Sequence, residues 1–332
     1  MAKDSMGHSY LAFDFGAESG RAVRAHLRSG LLTIDEVHRF PNDPVEYGGS
    51  FHWDVPRLWF EMRAALAAAG DNDDTEIAGI GVDTWGVDYA LLGEQSELLQ
   101  NPLHYRDPRN IAAMHEALGL ISKEEIYETT GIQMMPINTL NQLYAARKHT
   151  PRLLDAAERV LMIPDLFNYW LTGKAVCEFT IASTTQLVSP HTRTWATSLM
   201  ERLGIPVKIA SPIVEPGSIL GGLQRGISSS RALEGAKVIA CGSHDTASAV
   251  AAITARDDTA FISSGTWSLV GIEVDAPVIT AKALQLNFSN EGGVAGTTRL
   301  LKNVMGLWML QGCRRSWAAA GRKLSYEELM AS

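Results

Sequence analysis

The amino-acid sequence predicts an α/β protein of about two domains. Its 332 residues exceed the usual length of one domain. A content of 46% hydrophobic and 20% charged residues is ordinary for globular proteins with large cores. Short apolar runs at residues 10–15 and 237–241 are typical of buried strands. Helix signals lie between such runs, for example from Asp54, a capping residue followed by Pro56, to about residue 69.

Charge and cysteine content narrow the classes of function. The net charge of −8 argues against nucleic-acid or anionic-membrane partners, which favour a basic surface. An anionic ligand such as ATP would therefore need a local cation or a metal ion. The three cysteines are far apart and show neither zinc spacing nor a disulfide framework, so we expect a cytoplasmic location. No signal peptide or membrane-spanning run is visible, and we expect residues 1–9 to be a leader outside the fold.

The first candidate site is a turn near the N-terminus. Residues 10–15, 21–27 and 31–40 predict three strands of an antiparallel meander. The first turn, residues 16–20, contains two glycines and a serine, and lies between Asp14 and Arg21. Backbone N–H groups of such a turn can bind a phosphate, and Asp14 can hold magnesium through water. An ordinary hairpin turn uses glycines in the same way, so both interpretations stay open.

A second candidate loop follows a buried strand at residues 77–82. Residues 83–88 read Asp-Thr-Trp-Gly-Val-Asp, with two aspartates around a Trp-Gly pair. Carboxylates accept hydrogen bonds from sugar hydroxyls, and an indole packs on the C–H surface of a sugar, so the loop suits a polyol. The alternative is a plain loop in which Trp85 fills the core.

The middle of the chain predicts helices at 110–118, 124–129 and 138–149, then a strand and helix within 160–170. Residues 213–223 are rich in proline and glycine, which indicates a link between domains. We therefore expect one domain over residues 10–225 and a second over residues 236–332.

The segment 242–250 is the centre of the predicted site. It reads Gly-Ser-His-Asp-Thr-Ala-Ser-Ala-Val and follows an apolar strand, so Asp245 lies at a strand-to-helix junction. Ser243 or Asp245 could simply cap the helix. Two turns of a kind that can bind phosphate, at residues 16–20 and 263–268, favour a chemical role for Asp245 instead.

The second such turn lies at residues 263–268, between two predicted strands that span residues 259–273. It repeats the design of the Asp14 turn with hydroxyl groups in place of the acid. The three loops together indicate a phosphoryl-transfer site. Residues 301–311 predict a helix that carries Asn303 and Gln311 on one face.

Five motifs together resemble a known family. They read Asp14-Phe-Gly-Ala-Glu-Ser-Gly-Arg21, Gly81-Val-Asp-Thr-Trp-Gly-Val-Asp88, Gly242-Ser-His-Asp-Thr-Ala247, Ser263-Ser-Gly-Thr-Trp-Ser268 and Asn303-Val-Met-Gly-Leu-Trp308. They resemble the rhamnulokinase group of the FGGY carbohydrate kinases, within the actin-like superfamily. The resemblance runs from about residue 10 to residue 317. The loops at 83–88 and 243–246 distinguish this group from xylulose and glycerol kinases.

The resemblance implies two actin-like (ribonuclease H-like) domains, with ATP and sugar in the cleft between them. It implies Asp245 as the catalytic base and magnesium at Asp14. The implied sugar contacts are Gly86, His244, Asp245, Thr246 and Asn303. The implied ATP contacts are Ala17, Glu18, Ser19, Gly20, Arg21, Thr266 and Gln311.

Two functions follow as expectations. The first is transfer of the γ-phosphate of ATP to the 1-hydroxyl of L-rhamnulose, or of a related ketose such as L-fuculose. The second is a non-catalytic remnant that binds a sugar or a partner chain. The second stays open because members of the family continue past the point where this chain ends, through a glycine-rich adenosine segment. We therefore expect an incomplete second domain, with self-association or a second polypeptide as ways to complete it.

Overall fold

The computed structural model describes residues 8–71, 76–253 and 259–331. Two groups of strands organise these ranges. The first group, with its helices, contains β1 (His8–Phe15), β2 (Ser19–Arg28), β3 (Leu31–Pro41), β4 (Val45–Tyr47), β5 (Ser50–His52), α1 (Val55–Asp71), β6 (Ile77–Thr84), β7 (Tyr89–Leu92), α2 (Arg109–Leu120), α3 (Lys123–Thr130), α4 (Thr139–His149), α5 (Pro151–Ala156), β8 (Arg159–Met162), α6 (Ile163–Thr172), β9 (Cys177–Glu178), α7 (Phe179–Ser183), β10 (Val188–Ser189), β11 (Thr194–Trp195), α8 (Thr197–Arg202), β12 (Ile213–Val214), β13 (Ser218–Gly222), β14 (Lys237–Ala240) and α9 (Asp245–Ala251).

The second group is smaller. It contains β15 (Ala260–Ser264), β16 (Trp267–Val274), α10 (Ala281–Leu286), β17 (Ser289–Gly292), β18 (Thr298–Met305), α11 (Trp308–Ala319) and α12 (Tyr326–Met330). Short 3-10 turns lie at Val207–Ile209, Arg231–Leu233 and Val294–Gly296.

The main sheet has six strands in the order β13-β14-β6-β1-β2-β3. The predicted meander of β1, β2 and β3 is confirmed, because both strand pairs are antiparallel. β6 lies between β1 and β14 and is parallel to both. Three loops therefore leave the carboxyl ends of neighbouring strands at the same edge of the sheet.

The predicted link at residues 213–223 is wrong. β13 lies within it and pairs with β14 in the main sheet. Glycines are typical of a linker, but here they lie beside an irregularity in the register between Ile219 and Gly221. β14, expected to open the second domain, extends the first sheet, so the first sheet continues to Ala240.

Residues 1–7 of the predicted leader lie outside the described residues, whereas His8 and Ser9 belong to β1. Within the described part of the chain, no helix combines the length and apolar character needed to cross a membrane. The three cysteines are free, as expected, and the cytoplasmic location stays a prediction.

Aromatic side chains form the core of the first sheet near the carboxyl end of β1. Phe15, at the end of β1, is fully buried and makes edge-on contacts with Phe40 and Phe167, with centroids 5.3 and 5.0 Å apart. Phe167 brings α6 onto the sheet. This packing fixes the end of β1, where the Asp14 turn begins.

The second sheet is antiparallel, in the order β15-β16-β18-β17, and β17 attaches it to the first part of the chain. Asn290 is fully buried, and its amide nitrogen donates to the carbonyls of Gly131 (3.0 Å) and Val278 (3.3 Å). Its side-chain oxygen accepts from the Val278 N–H. The N–H of Gly292 donates to Ser183 Oγ at 2.8 Å. β17 is therefore held at both ends.

The Asn290 contacts generate a stability prediction. Asn290→Ala leaves a buried N–H and two carbonyls without their side-chain partner, so we expect it to lower the free energy of unfolding by roughly 2–4 kcal/mol. Urea unfolding followed by circular dichroism measures this. Gln285→Ala, on the exposed side of α10, should change it by less than about 0.5 kcal/mol. Equal effects of the two variants would contradict an anchoring role for Asn290.

Candidate active site

The loop that carries Asp245 is held in place by hydrogen bonds to a buried carboxylate, that of Glu178. Glu178 lies at the start of α7 and accepts hydrogen bonds from the N–H groups of Thr180 and Ile181. Its Oε2 also accepts from the N–H of Ser243 at 3.1 Å, and Thr180 Oγ1 accepts from the N–H of His244 at 3.3 Å. Burial raises the pKa of Glu178 to about 7, against the effect of these hydrogen bonds. The backbone of the Asp245 loop is therefore held by two side chains of the first domain.

Asp245 itself is not the capping residue of α9. It is the first helical residue, and His244 occupies the cap position without a side-chain cap bond. Asp245 Oδ1 accepts from the N–H and hydroxyl of Thr246 and lies 3.4 Å from His244 Nε2. Within the described residues no hydrogen bond is made to Oδ2, and the side chain is 37% exposed. One carboxylate oxygen is thus engaged, and the other is open to a ligand.

Asp14 and Asp83 lie side by side, because β1 and β6 pair them in register. Asp14 Oδ2 accepts from Arg21 Nε at 2.9 Å and lies 2.8 Å from Arg21 Nη2. Burial raises the pKa of Asp83 well above its usual range, and the charges of Asp14 and Asp245 add to this effect. Asp83 therefore favours its neutral form between two other carboxylates.

The pair Asp14 and Asp83 can bind a magnesium ion only together with other ligands. No three His, Cys, Asp or Glu side chains in the described ranges are arranged to hold a metal alone. Magnesium commonly keeps several waters and takes one or two carboxylates together with phosphate oxygens. Asp14 provides such a carboxylate, and Asp83 beside it would ionise when a cation binds, because the cation offsets the neighbouring negative charges.

The two phosphate-type turns face the same cleft. The first turn closes through a hydrogen bond from the Gly16 N–H to the Ser19 carbonyl at 2.9 Å. In the second, Thr266 Oγ1 accepts from Gln311 Nε2 at 3.3 Å. The structure thus joins two predicted ATP contacts from different elements.

The two aspartates of the 83–88 loop lie in different environments. Asp88 is fully buried and accepts hydrogen bonds from the indoles of Trp53 and Trp85 and from Gln142. Burial raises the pKa of Asp88 to about 7. Asp88 therefore organises the loop and does not face a sugar, contrary to the polyol interpretation. Gly86 does line the cleft, and a Cβ there would lie 3.2 Å from His244 Nε2.

Asn303 lies on a strand, so the predicted helix over residues 301–311 is wrong in its first half. β18 pairs with β16 and β17, and these ladders override local helix preference. The helix starts only at Trp308, after Gly306, where a Cβ would come within 2.5 Å of the Gly265 carbonyl. Asn303 and Gln311 nevertheless both line the cleft.

Most predicted site residues meet in one cleft of about 430 Å³. These are Ala17, Glu18, Ser19, Gly86, His244, Asp245, Thr246, Thr266, Asn303 and Gln311. Asp14, Gly20 and Arg21 are not among the residues that line it. Gly20 pairs with Phe15 inside the hairpin, and Arg21 is turned to Asp14.

Sequence reasoning missed several residues of the cleft. Gln133 Oε1 accepts from the Asn303 N–H at 2.9 Å, and its Nε2 donates to the Asn303 carbonyl. Glu291 lines the cleft from β17. Gln133 lies in a loop without a pattern, so no local signal identifies it. The run Asn-Glu-Gly-Gly at residues 290–293 was the available signal for Glu291.

Comparison with known proteins agrees with this architecture. The model of the N-terminal domain of the FGGY family of carbohydrate kinases matches residues 9–252, and that of the C-terminal domain matches residues 260–332. The chain belongs to the FGGY family of carbohydrate kinases. The predicted α/β class with two actin-like domains is confirmed.

Curated relatives indicate which kinases within the family this chain resembles. A rhamnulokinase of Bacteroides thetaiotaomicron is 44% identical over 98% of this chain and 66% of its own length. One of Oceanobacillus iheyensis is 43% identical over 92% of this chain and 65% of its own length. The chain thus spans about two thirds of the length of these relatives, or slightly less.

Solved structures show the same fold at low identity. A gluconate kinase from Lactobacillus acidophilus matches with a TM-score of 0.81 and 20% identity, over 93% of this chain and 62% of its own. A xylulose kinase from Rhodospirillum rubrum matches with a TM-score of 0.79 and 19% identity, over 94% and 64%.

The buried Asp88 gives a pH-dependent prediction. Its pKa rises from 3.8 to about 7 on folding. The folded protein therefore binds more protons than the unfolded chain between about pH 4 and 7, and this group lowers stability as pH rises through that window. Asp88→Asn cannot titrate and also disturbs the indole contacts. We expect Asp88→Asn to lower the free energy of unfolding more at pH 5 than at pH 8. The difference between the two pH values should be roughly 1–3 kcal/mol.

Urea unfolding at the two pH values measures this difference. The exposed Asp275→Asn is the matched control, and its effect should be similar at both. A loss at Asp88→Asn that is the same at pH 5 and pH 8 would contradict a raised pKa of Asp88.

Proposed function

We propose that this chain forms the sugar- and phosphate-binding part of an ATP-dependent kinase, which transfers the γ-phosphate to the 1-hydroxyl of L-rhamnulose. The observation that carries the proposal is the meeting of Asp245, with its open Oδ2, and two phosphate-type turns in one cleft. The rhamnulokinase relatives support the choice of sugar.

Asp245 acts as the base in this proposal. A primary alcohol becomes a good nucleophile as its proton leaves, and a positioned carboxylate can accept that proton. Oδ1 is engaged by Thr246 and by contact with His244, so Oδ2 is the atom that accepts it. The carboxylate cannot turn freely, because rotation would break the Thr246 bonds.

The sugar is held by the residues around the base. Gly86 offers its backbone beside His244, with no side chain to fill the space. Thr246 and Asn303 provide further polar contacts to hydroxyl groups of the sugar. Asn303 Nδ2 lies 3.4 Å from Gln133 Oε1, which leaves Oδ1 as the amide atom available to accept from a hydroxyl.

The nucleotide phosphates lie between the two turns. N–H groups of Ala17, Glu18 and Ser19 and the hydroxyl of Thr266 can bind phosphate oxygens. Asp14 and Asp83 would hold magnesium, which neutralises phosphate charge when bound. Gln311 supports Thr266 on this side of the cleft. Phosphoryl transfer needs such positioning and charge neutralisation more than covalent help from the protein.

The role of Asp245 is testable by an isosteric change. Asp245→Asn keeps the shape of the side chain but removes the proton acceptor, so we expect turnover of L-rhamnulose to fall at least about 100-fold. A coupled assay of ADP release measures it, with Asp275→Asn as a control that removes an exposed carboxylate. Near wild-type turnover of Asp245→Asn would exclude it as the base. Sugar binding by a wild-type chain without turnover would favour the non-catalytic alternative.

The role of Asp14 is testable through the two ligands separately. Asp14→Asn should weaken magnesium-dependent ATP binding by about tenfold or more, with little effect on L-rhamnulose, because the sugar contacts lie on other loops. Calorimetric titration of each ligand measures both affinities. Arg21→Gln breaks the same ion pair but keeps the carboxylate. If Asp14→Asn weakens the binding of ATP without magnesium as much as with magnesium, the loss does not come from a metal.

A further inference from the structure

A buried charged cluster lies directly behind the base. Arg299, on β18, is fully buried, and the side chains of Glu291 and His244 are 5% and 8% exposed. Arg299 Nη2 lies 3.1 Å from His244 Nδ1 and 3.3 Å from Glu291 Oε2. Arg299 Nε also donates to the Gly292 carbonyl at 2.9 Å. The guanidinium is therefore fixed in place by β17.

The position of Arg299 decides where the imidazole proton lies. Guanidinium nitrogens carry only donors, so His244 Nδ1 must accept in this contact. A proton on Nδ1 would lie near Glu291 Oε2, which is 3.3 Å from that nitrogen, but it would also meet an Arg299 N–H at close range. The arrangement favours the neutral ring with its proton on Nε2.

The opposite side of the ring faces the base. His244 Nε2 lies 3.4 Å from Asp245 Oδ1, so a proton on Nε2 attracts that carboxylate oxygen. With an unprotonated Nε2, two acceptors would face each other instead. The ring tautomer thus controls whether His244 supports or repels Asp245 Oδ1.

We propose that Arg299 is a positioning residue that sets the Nε2–H tautomer of His244, and that Glu291 supplies the counter-charge that keeps Arg299 buried. The ring then holds Asp245 Oδ1 and leaves Oδ2 for the substrate proton. Neither Arg299 nor Glu291 needs to touch the sugar for this role. The effect on turnover rests on the proposed function, whereas the tautomer does not.

Glu291 has the properties of a permanent counter-charge. Burial alone would raise the pKa of its carboxyl, but the charge of Arg299 and a hydrogen bond from Asn303 act in the opposite direction, and the pKa lies below its usual value. The carboxylate is therefore ionised beside the guanidinium. A buried guanidinium without such a partner would be strongly unfavourable.

The tautomer can be measured without any substrate. Long-range ¹H–¹⁵N correlation spectra of the ¹⁵N-labelled chain distinguish protonated from unprotonated ring nitrogens, and His244→Asn assigns the signal. We expect Nδ1 of His244 to be unprotonated and Nε2 to be protonated at neutral pH. A protonated Nδ1 in the wild-type chain overturns the proposal, whatever any variant does.

Two variants separate Arg299 from Glu291. In Arg299→Met the remaining polar neighbour of Nδ1 is Glu291, so we expect Nδ1 to become protonated. In Glu291→Gln the Arg299 donor remains, so Nδ1 should stay unprotonated. An unprotonated Nδ1 in Arg299→Met, or a protonated one in Glu291→Gln, contradicts the proposal. If either variant does not fold, the wild-type spectrum decides.

Measurements of turnover test whether Arg299 affects the reaction. Arg299→Met should lower turnover of L-rhamnulose about tenfold or more, because an unprotonated Nε2 of His244 would then face the Asp245 carboxylate. Asp275→Asn removes an exposed carboxylate that has no contact with the Arg299 cluster and should leave turnover unchanged. Wild-type turnover in a folded Arg299→Met overturns the positioning role. Absence of turnover in the wild-type chain counts against the proposed function and leaves the spectroscopic test intact.

Discussion

The parallel pairing of β6 with β1 on one side and β14 on the other determines the geometry of the site. Loops that leave the carboxyl ends of parallel strands meet at one edge of a sheet. The register places Asp14 beside Asp83, and the bridge between Thr84 and His244 continues the pairing into the Asp245 loop. A slip of one residue in this register would turn one of these two carboxylates to the other face of the sheet.

Buried carboxylates support the loops from behind. Glu178 binds backbone N–H groups under the Asp245 loop, and Asp88 binds two indoles under Gly86. Neither lines the cleft. A buried carboxylate is costly, but it accepts several hydrogen bonds at once and thereby fixes several groups in one arrangement. The cleft can thus present few polar atoms, each with a defined direction.

The sequence predicted the parts of the site whose signals are local. Hairpin turns, strand-to-helix junctions and the apolar strands around Asp14 and Asp245 have short-range patterns, and the structure brings these loops together. Asn303 was misplaced because its strand exists only through pairing with β16 and β17. Arg299 was missed for a similar reason. A charged residue in a strand-like run suggests a surface, and only the fold shows that Glu291 and His244 surround it.

The attachment of β17 has a consequence for how the cleft receives a ligand. Asn290 and Gly292 tie this strand to the first domain, whereas the turn with Thr266 is joined to the neighbouring α11 through Gln311. The part of the cleft lined by Glu291 and Asn303 is therefore preorganised, and a ligand that binds there would order little of the chain. The guanidinium of Arg106 lies 5.0 Å from the ring centroid of Trp267 and 4.5 Å from that of Trp308, so the side with the Thr266 turn too is joined to the first part of the chain. A ligand therefore enters a cleft whose two sides are already held by contacts within the chain.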